Sequence, residues 1–402
     1  MKELNELELS FIKENFDNNI DKLLLKYHKT DTKDIDYLYC INQIKLRKKF
    51  SDKFPFFTKR DDFLFPLSLN LEQSSSECTA FYKSLLVNED ETLLDLTAGF
   101  GIDDIYFAKR AKYIVCVEQN ELLVDLLQHN FDCLGMNNYS CVNADAENYI
   151  LNAENFDVIY LDPARRDENK NKVFDIASSQ PNILKIIDLL KAKSKRLIFK
   201  LSPMMDLKQI ESAFENISDI HIVSLKNECK EILVEIRKEV NEDINYHCVD
   251  IKSMILENNK MILENNKMIS RKKKMNSSNN FFTSDVLKYI YEPNTSILKS
   301  GLFYALFEKY NIGKLHRHSH LFTADFLIEG FEGRSFEVLE LRNASPKALK
   351  DIKQANITVR NFPQTVKDIR LKTKIKEGGE LYLFFTTLSN EEKICIVSKK
   401  VN

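Results

Sequence analysis

The chain has 402 residues, 44% hydrophobic and 29% charged, with 27 Phe and no Trp. That length suits two or three domains with sizeable cores. The net charge of -2 gives the whole chain no nucleic-acid signature, and eight scattered cysteines without a CxxC pair indicate neither a disulfide scaffold nor a metal cluster. The opening MKELNELELSF lacks a basic region followed by an apolar core, and no run of 18 apolar residues occurs. The expectation is therefore a soluble, reduced, cytoplasmic protein with no metal and no membrane contact. Charge is uneven along the chain: Leu341–Lys400 holds thirteen Lys or Arg against six Asp or Glu, and Ile251–Asn280 is also basic. Such local faces suit a polyanion that the total charge hides.

Residues 1 to about 50 show weak helical periods through Leu4, Leu7, Phe11 and Ile12 and again through YCINQIKLRKKF. Pro55 and Pro66 predict extended or turn structure in FPFF and FLFPLSLNL. A serine of SSSECTAFYKSLL is expected to cap a helix. From Glu91 to about Val240 strands and helices alternate: TLLDLT, GIDDIYFAKRA, YIVCVE, NELLVDLLQHNFDCLG, SCVNAD, FDVIYLDP, NILKIIDLLKAK and RLIFKLS, with a last hairpin in IHIVSLKNECKEILVEIR. This order predicts a mostly parallel sheet covered on both faces, an α/β fold. MILENNK then occurs twice, at Met254–Lys260 and Met261–Lys267, and RKKKMNSSNN follows. Two heptads are short for a coiled coil, so a polar, basic linker or surface insertion is expected. The closing strands RSFEVLEL, ANITVRNF, ELYLFFTTL and KICIVSK, with a helix in PQTVKDIRLKTKI, predict a small α+β module. The expected division is 1–85 a helical leader, 86–240 the α/β domain, 241–335 linker and accessory domain, and 336–402 the terminal module.

In LLDLTAGFGID a strand ends at Asp95, and Thr97, Gly99 and Gly101 lead into a helix. Glycines there let the backbone approach a ligand, and the helix N-terminus faces the same space. The full dinucleotide fingerprint lacks its third glycine, and no phosphate-loop Lys is present. Glu118 ends the second strand, where an acid can accept both hydroxyls of a ribose, and Asp145 follows the third, within reach of an adenine amine. The ordered set points to an adenosine-containing ligand; the alternative is an ordinary turn with strand-end acids. Asp162 and Pro163 end the fourth strand, the edge at which open sheets bind ligands. Arg165 and Arg166 follow, suited to phosphate or to pairing with Asp167 or Glu168. Lys200, Ser202 and Pro203 share that edge, and Glu72, Gln73 and Ser74 are candidates to close over substrate from the leader. Cys229 is the tempting nucleophile, but it has no neighbouring histidine, so a structural role is preferred. His316, His318 and His320 alternate as on one side of a strand, and are read as substrate-facing or structural rather than zinc-binding.

The Asp95–Gly101 turn with Glu118 and Asp145 resembles the S-adenosylmethionine site of class I methyltransferases. DPAR resembles the Asp-Pro-Pro-Arg-type motif of several RNA methyltransferases, and differs from the Asn-Pro-Pro-Tyr motif of many enzymes that methylate exocyclic amines. From about Lys48 to the end, outside the heptad linker, further blocks resemble a bacterial family of class I methyltransferases with a THUMP-like C-terminal domain: LSLNLEQSSSECTAFYKSLL, KLSPMMD, NECKEILVE, YEPNTSILKSG, KLHRHSHLFTAD, EGRSFEVLE and NITVRNFP. The resemblance implies a Rossmann-like sheet and methyl transfer from S-adenosylmethionine, with ribosomal or transfer RNA the expected partner. Asp95 to Gly101 would cradle the methionine part, Glu118 the ribose and Asp145 the adenine, while Asp162 and its loop would hold the target base. A nitrogen is favoured as the methyl acceptor, because carbon methylation at pyrimidine C5 needs a nucleophilic cysteine. Arg360, Lys367, Arg370, Lys372, Lys374 and Lys376 form the expected phosphate-reading patch, with a solvated face as the alternative. Glu332 stands where the family has proline, and is expected to loosen that turn and place a charge beside Arg334. The competing functions are a non-catalytic RNA-binding protein, a methyltransferase of small molecules or proteins, and a nicotinamide-dependent oxidoreductase.

Overall fold

The computed structural model describes residues 4–30, 34–165, 176, 179–239, 243–257, 260–264, 267–272 and 281–401. Its contacts divide into two units: the first takes the described parts of 1–219, 231–242 and 253–263, and the second those of 220–230, 243–252 and 264–402.

The first unit opens with α1 (Glu6–Asn15), α2 (Ile20–Tyr27) and α3 (Tyr37–Lys49). Asn5 caps α1 in a reciprocal capping box with Glu8, and Phe11, Ile12, Leu23, Cys40, Ile41 and Ile44 make a small core of their own. The phenylalanine-rich stretch after α3 is extended at Phe63–Phe65, where Gln43 and Asn130 each exchange two hydrogen bonds with its backbone. That pairing satisfies buried main-chain groups outside any sheet. Helices α4 (Ser68–Gln73) and α5 (Glu77–Ser84) follow. The sequence missed α4 by extending the influence of Pro66 too far. Ser76 is the serine that caps α5, accepting from the Thr79 N–H. Phe50, Phe54, Phe57, Phe63 and Phe65 join Phe100, Ile102, Phe107 and Phe131 in the main core.

Glu77 is wholly buried and accepts from the Phe56 and Phe57 N–H groups and from the Tyr106 hydroxyl. Burial outweighs these donors and raises its pKa to about 7, from 4.5. In this window the folded state holds the proton more firmly than the unfolded chain, so stability falls as pH rises from about 4.5 through 7. Glu77→Gln is expected to flatten that slope; melting temperatures from pH 5 to 8 test it, and an unchanged slope refutes the assignment.

The sheet strands are β1 (Thr92–Asp95), β2 (Tyr113–Glu118), β3 (Tyr139–Asn143), β4 (Phe156–Leu161), the short pair β5 (Ala164–Arg165) and β6 (Ser179–Gln180), β7 (Ser194–Leu201), β8 (Ile217–Leu225) and β9 (Glu228–Arg237). Between them lie α6 (Ile102–Ala108), α7 (Glu121–Cys133), α8 (Ala146–Asn152), α9 (Ile183–Lys193) and α10 (Leu207–Ala213). Within the first unit the sheet order is β9-β7-β4-β1-β2-β3. The central pairs are parallel and β9 runs antiparallel to β7. Leu93, Leu94, Ile114–Val117 and Val158–Leu161 are buried in unbroken runs, the mark of strands covered on both faces. Because β1 neighbours both β2 and β4, the chain order reverses there and opens a crevice at the carboxyl ends of the two strands.

The repeated heptads correct the linker expectation. The two repeats and the residues flanking them form three strands, β11 (Ser253–Glu257), β12 (Lys260–Glu264) and β13 (Lys267–Lys272), after β10 (Asn245–Ile251). Met254, Met261 and Leu263 pack on the main core, so a seven-residue period here is five residues of strand and two between strands. RKKKMNSSNN lies mostly outside the described residues.

In the second unit β13 pairs antiparallel with β10. A seven-stranded sheet follows, in order β15-β16-β14-β17-β20-β19-β18: β14 (Tyr289–Pro293), β15 (Gly313–Lys314), β16 (Phe322–Ala324), β17 (Gly333–Asn343), β18 (Asn356–Arg360), β19 (Leu381–Thr387) and β20 (Lys393–Lys400). Helices α11 (Thr295–Ser300), α12 (Phe303–Tyr310) and α13 (Val366–Thr373) complete it. The division expected between 335 and 336 falls inside β17.

Candidate active site and its relatives

Every cofactor-site candidate stands at or beside a carboxyl end of β1, β2 or β3. Asp95 is the last residue of β1 and is 1% exposed. Its Oδ1 accepts the Thr97 N–H at 2.7 Å and the Thr97 hydroxyl at 3.1 Å, so it shapes the turn from beneath instead of facing a ligand. Burial and the Asp104 carboxylate push its pKa well above the usual range. Asp104 is fully buried against Asp95 and Cys116, and burial with the Asp103 charge raises its pKa as well.

The Gly99 N–H donates to Glu118 Oε2 at 2.9 Å, and the Asn120 N–H to Glu118 Oε1 at 2.9 Å. Each oxygen keeps a lone pair, so Glu118 is oriented and still able to accept two hydroxyls. Gly99 has φ +56°, and a Cβ there would meet only the Thr97 carbonyl, at 3.8 Å; this face of the turn is open. Asp145 is exposed, and its Oδ1 caps α8 by accepting the Asn148 N–H at 3.0 Å, which leaves its second oxygen for an amine. An open glycine face, an oriented carboxylate and a second acid one strand further on fit an adenosine-bearing methyl donor. Gly101 serves the fold: at φ +83° it sits where an added Cβ would lie 1.9 Å from Leu127 Cδ1. Gly101→Ala is expected to destabilise the protein by about 2–4 kcal/mol through backbone strain and overpacking. Urea denaturation tests this, and a stable variant refutes it.

Asp162 and Pro163 follow β4, both part-exposed. The Asp162 N–H donates to Thr97 Oγ1 at 2.7 Å, so one threonine hydroxyl joins the glycine turn to the acid expected to hold substrate. The Asp162 carboxylate accepts from the Lys200 ammonium. Burial works against that ammonium, but Asp162, Asp103 and Glu231 raise its pKa above the lysine range and keep it charged. The backbone of Arg165 enters β5; Arg166, Asp167 and Glu168 lie outside the described residues. Ser202 and Pro203 follow Lys200 beyond β7 and are part-exposed. Glu72 is tied to Lys49 at 2.6 Å, Gln73 is exposed, and Ser74 bonds the Leu71 carbonyl.

The residue that matters in that leader segment is Ser75, which the sequence reading passed over. Its hydroxyl donates to Asp103 Oδ2 at 2.9 Å and accepts from Lys83 Nζ at 2.8 Å. Lys83, wholly buried, also meets Glu231 at 2.9 Å and Asp103 at 3.1 Å. The Tyr160 hydroxyl donates to Asp103 Oδ2 at 2.8 Å. Burial opposes the Asp103 charge, but Lys83, Lys200 and Tyr160 hold its pKa below the usual value; burial raises that of Glu231. This network locks the first turn of α6 to β4, α5 and β9. The sequence carried no local signal for it: Lys83 lies in α5 and Glu231 in β9, 148 residues apart.

The RNA-patch candidates divide. Arg360 pairs with buried Glu292 at 2.6 Å, and Arg370 donates to the Ile375 and Ala355 carbonyls. Lys367, Lys372, Lys374 and Lys376 are exposed in or just after α13. Glu332 does not loosen its turn: it is buried and held by Lys309 at 2.5 Å and Tyr310 at 2.7 Å, while Arg334 pairs with Glu292. The three histidines do not share a strand face. Residues 317–319 turn, and His320, at φ +55°, stacks on Phe303.

Three family models match segments of the chain: one described as conserved hypothetical protein 95 over residues 79–199, a ferredoxin-like domain over 289–331, and a THUMP domain-like model over 333–400. A crystal structure of a protein provisionally assigned as a methyltransferase, from Porphyromonas gingivalis W83, is 27% identical, covers 100% of both chains and superposes with a TM-score of 0.84. A 23S rRNA (uracil(1939)-C(5))-methyltransferase of Vibrio campbellii is 38% identical over 80 residues, 19% of this chain and 18% of that enzyme. Its counterpart from Marinomonas posidonica is 36% identical over 84 residues, 20% of this chain and 19% of the relative. The chain thus spans under a fifth of the length of these curated relatives. In fold and in these matches the chain is similar to a methyltransferase with a Rossmann-like sheet and a THUMP-like C-terminal segment.

Proposed function

We propose that this protein transfers a methyl group from S-adenosylmethionine to a ring or exocyclic nitrogen of an RNA base. The observation that carries the reading is the Thr97 bridge, which sets the open glycine turn and Asp162 side by side at the reversal of strand order. Glu118, Gly99 and Asp145 would hold the cofactor, which supplies an electrophilic methyl group when bound. Asp162, fixed by Thr97 and Lys200, would accept an N–H of the target base and orient its nitrogen for in-line approach. Positioning of this kind accounts for much of such a barrier.

RNA as substrate is supported by the rRNA methyltransferase relatives, by the THUMP-like segment and by the four exposed lysines around α13. Nitrogen is preferred to the C5 chemistry of the curated relatives because that chemistry needs a thiolate, and none of the eight cysteines lies in β4, β7 or the residues just after them. Calorimetry is the first test. S-adenosylmethionine and S-adenosylhomocysteine are expected to bind at micromolar concentration and NAD not to bind, with Glu118→Ala weakening both sulfur ligands at least tenfold. Failure of the folded wild type to bind either one overturns the cofactor assignment.

A further inference from the structure

The histidine-rich loop, unused by the methyl-transfer reading, lines a cavity of about 760 Å³ in the second unit. Its wall includes His316, Arg317 and His318 from that loop, Asn361 and Phe362 from the segment after β18, and Lys393 at the start of β20. The size lies in the usual range for small-ligand sites. We propose that this cavity binds a nucleoside phosphate, either a free mononucleotide or one residue of an RNA strand.

The cationic side is unspent. Arg317 and Lys393 are exposed, and neither has a carboxylate partner among the described residues. His316 is fixed in one tautomer: its Nδ1 receives the His318 N–H at 3.0 Å and the Asn361 side-chain amide at 2.8 Å, so the proton resides on Nε2. That Nε2–H is a positioned donor, now 3.4 Å from Glu391, itself 79% exposed. Arg317 and Lys393 share the lining with that donor, and together they supply the charged donors that a phosphate uses.

The wall is also preorganised. The Thr387 hydroxyl donates to the Asn361 carbonyl at 2.6 Å, and holds Asn361 at φ +53°. Lys314, only 3% exposed, donates to the Arg317 carbonyl at 2.7 Å and sits over the Phe303 ring. Burial of that ammonium lowers its pKa to about 8, a cost incurred in fixing the loop that presents Arg317. In the same lining Phe362 and Pro363 give an apolar surface on which a base can lie, and the Phe362 ring is held edge-on by Phe385. Glu391 supplies the acceptor that a base N–H or a sugar hydroxyl needs. Phosphate donors and a ring surface in one lining select a nucleotide over a bare anion.

The reading is independent of methyl transfer, and calorimetry on the full chain tests it with saturating S-adenosylhomocysteine present. UMP is expected to bind, with uridine and inorganic phosphate each at least tenfold weaker. Arg317→Ala with Lys393→Ala should weaken UMP at least tenfold and leave S-adenosylhomocysteine affinity and melting temperature unchanged. Phe362→Leu should weaken UMP while sparing inorganic phosphate. Displacement of a fluorescent single-stranded RNA by UMP would identify an RNA residue as the occupant; UMP binding without displacement would identify a free nucleotide. Equal affinity for UMP and uridine, no UMP binding by the wild type, or full UMP affinity in the double variant would overturn the proposal.

Discussion

Lys83→Met is expected to lower stability by about 3–5 kcal/mol, the usual cost of stripping one partner from a buried ion pair. Methionine keeps the length and apolar stem of the side chain, so the loss is electrostatic. Wild-type Lys83 is 0% exposed and reaches Glu231, Asp103 and Ser75 within 3.1 Å. Without it, two buried carboxylates, Asp103 and Glu231, are left with Lys200 as a cation acting on both. The sign with pH follows from Glu231, whose pKa already stands above the usual value because of burial. Loss of the ammonium raises it further, and an acid held protonated in the fold gives stability that fades as pH climbs. The deficit should therefore be smaller at pH 5 than at pH 8. Urea denaturation at both values measures it. Lys195→Met is the control, because the Lys195–Asp157 pair is 80% exposed on its lysine side and should count for little. A Lys83→Met variant as stable as wild type at pH 8 would show that the network is not a structural tie.

Asp162→Asn is expected to reduce methyl transfer by about 10²–10⁴-fold, the range for loss of a positioned acid–base or orienting group. Asparagine preserves shape and the backbone N–H that Thr97 Oγ1 accepts, so the turn should hold and cofactor affinity should change less than threefold. The charge is what disappears, together with the partner of Lys200. Transfer of labelled methyl to RNA from cells lacking this protein is the measurement, with cofactor binding in parallel. Full activity in the variant would remove Asp162 from the chemistry. Loss of cofactor binding would instead assign it to the donor site.

Those two predictions draw on parts of the sequence that differ in legibility. Asp162 was visible because FDVIYLDP announces a buried strand ending in an acid. The glycine turn was visible because its residues are consecutive and its order along the chain mirrors its order in space. Lys83 was invisible: its partner Glu231 lies 148 residues away, and each looks like an ordinary surface charge until folding removes the water. Arg360 misled for the same reason, since nothing near it in sequence reveals Glu292. The repeated MILENNK misled differently: its period fits helical heptads and strands alike, and the packing of Met254 on the core decides between them. His320 showed that alternation alone does not make a strand, because a left-handed residue and a ring stack turn the chain first.

The first unit is not finished when its parallel strands have been made. Glu231 and β9 come from beyond residue 219, and Met254, Met261 and Leu263 later still, after the chain has visited the second unit. Synthesis must therefore pass Leu263 before this core has all its parts. Until then the nascent chain carries Lys83 without Glu231 and an apolar surface without its methionines, a client suited to chaperones that act during synthesis. The same interleaving makes residues 79–199, although recognisable as a family segment, a poor choice for expression alone.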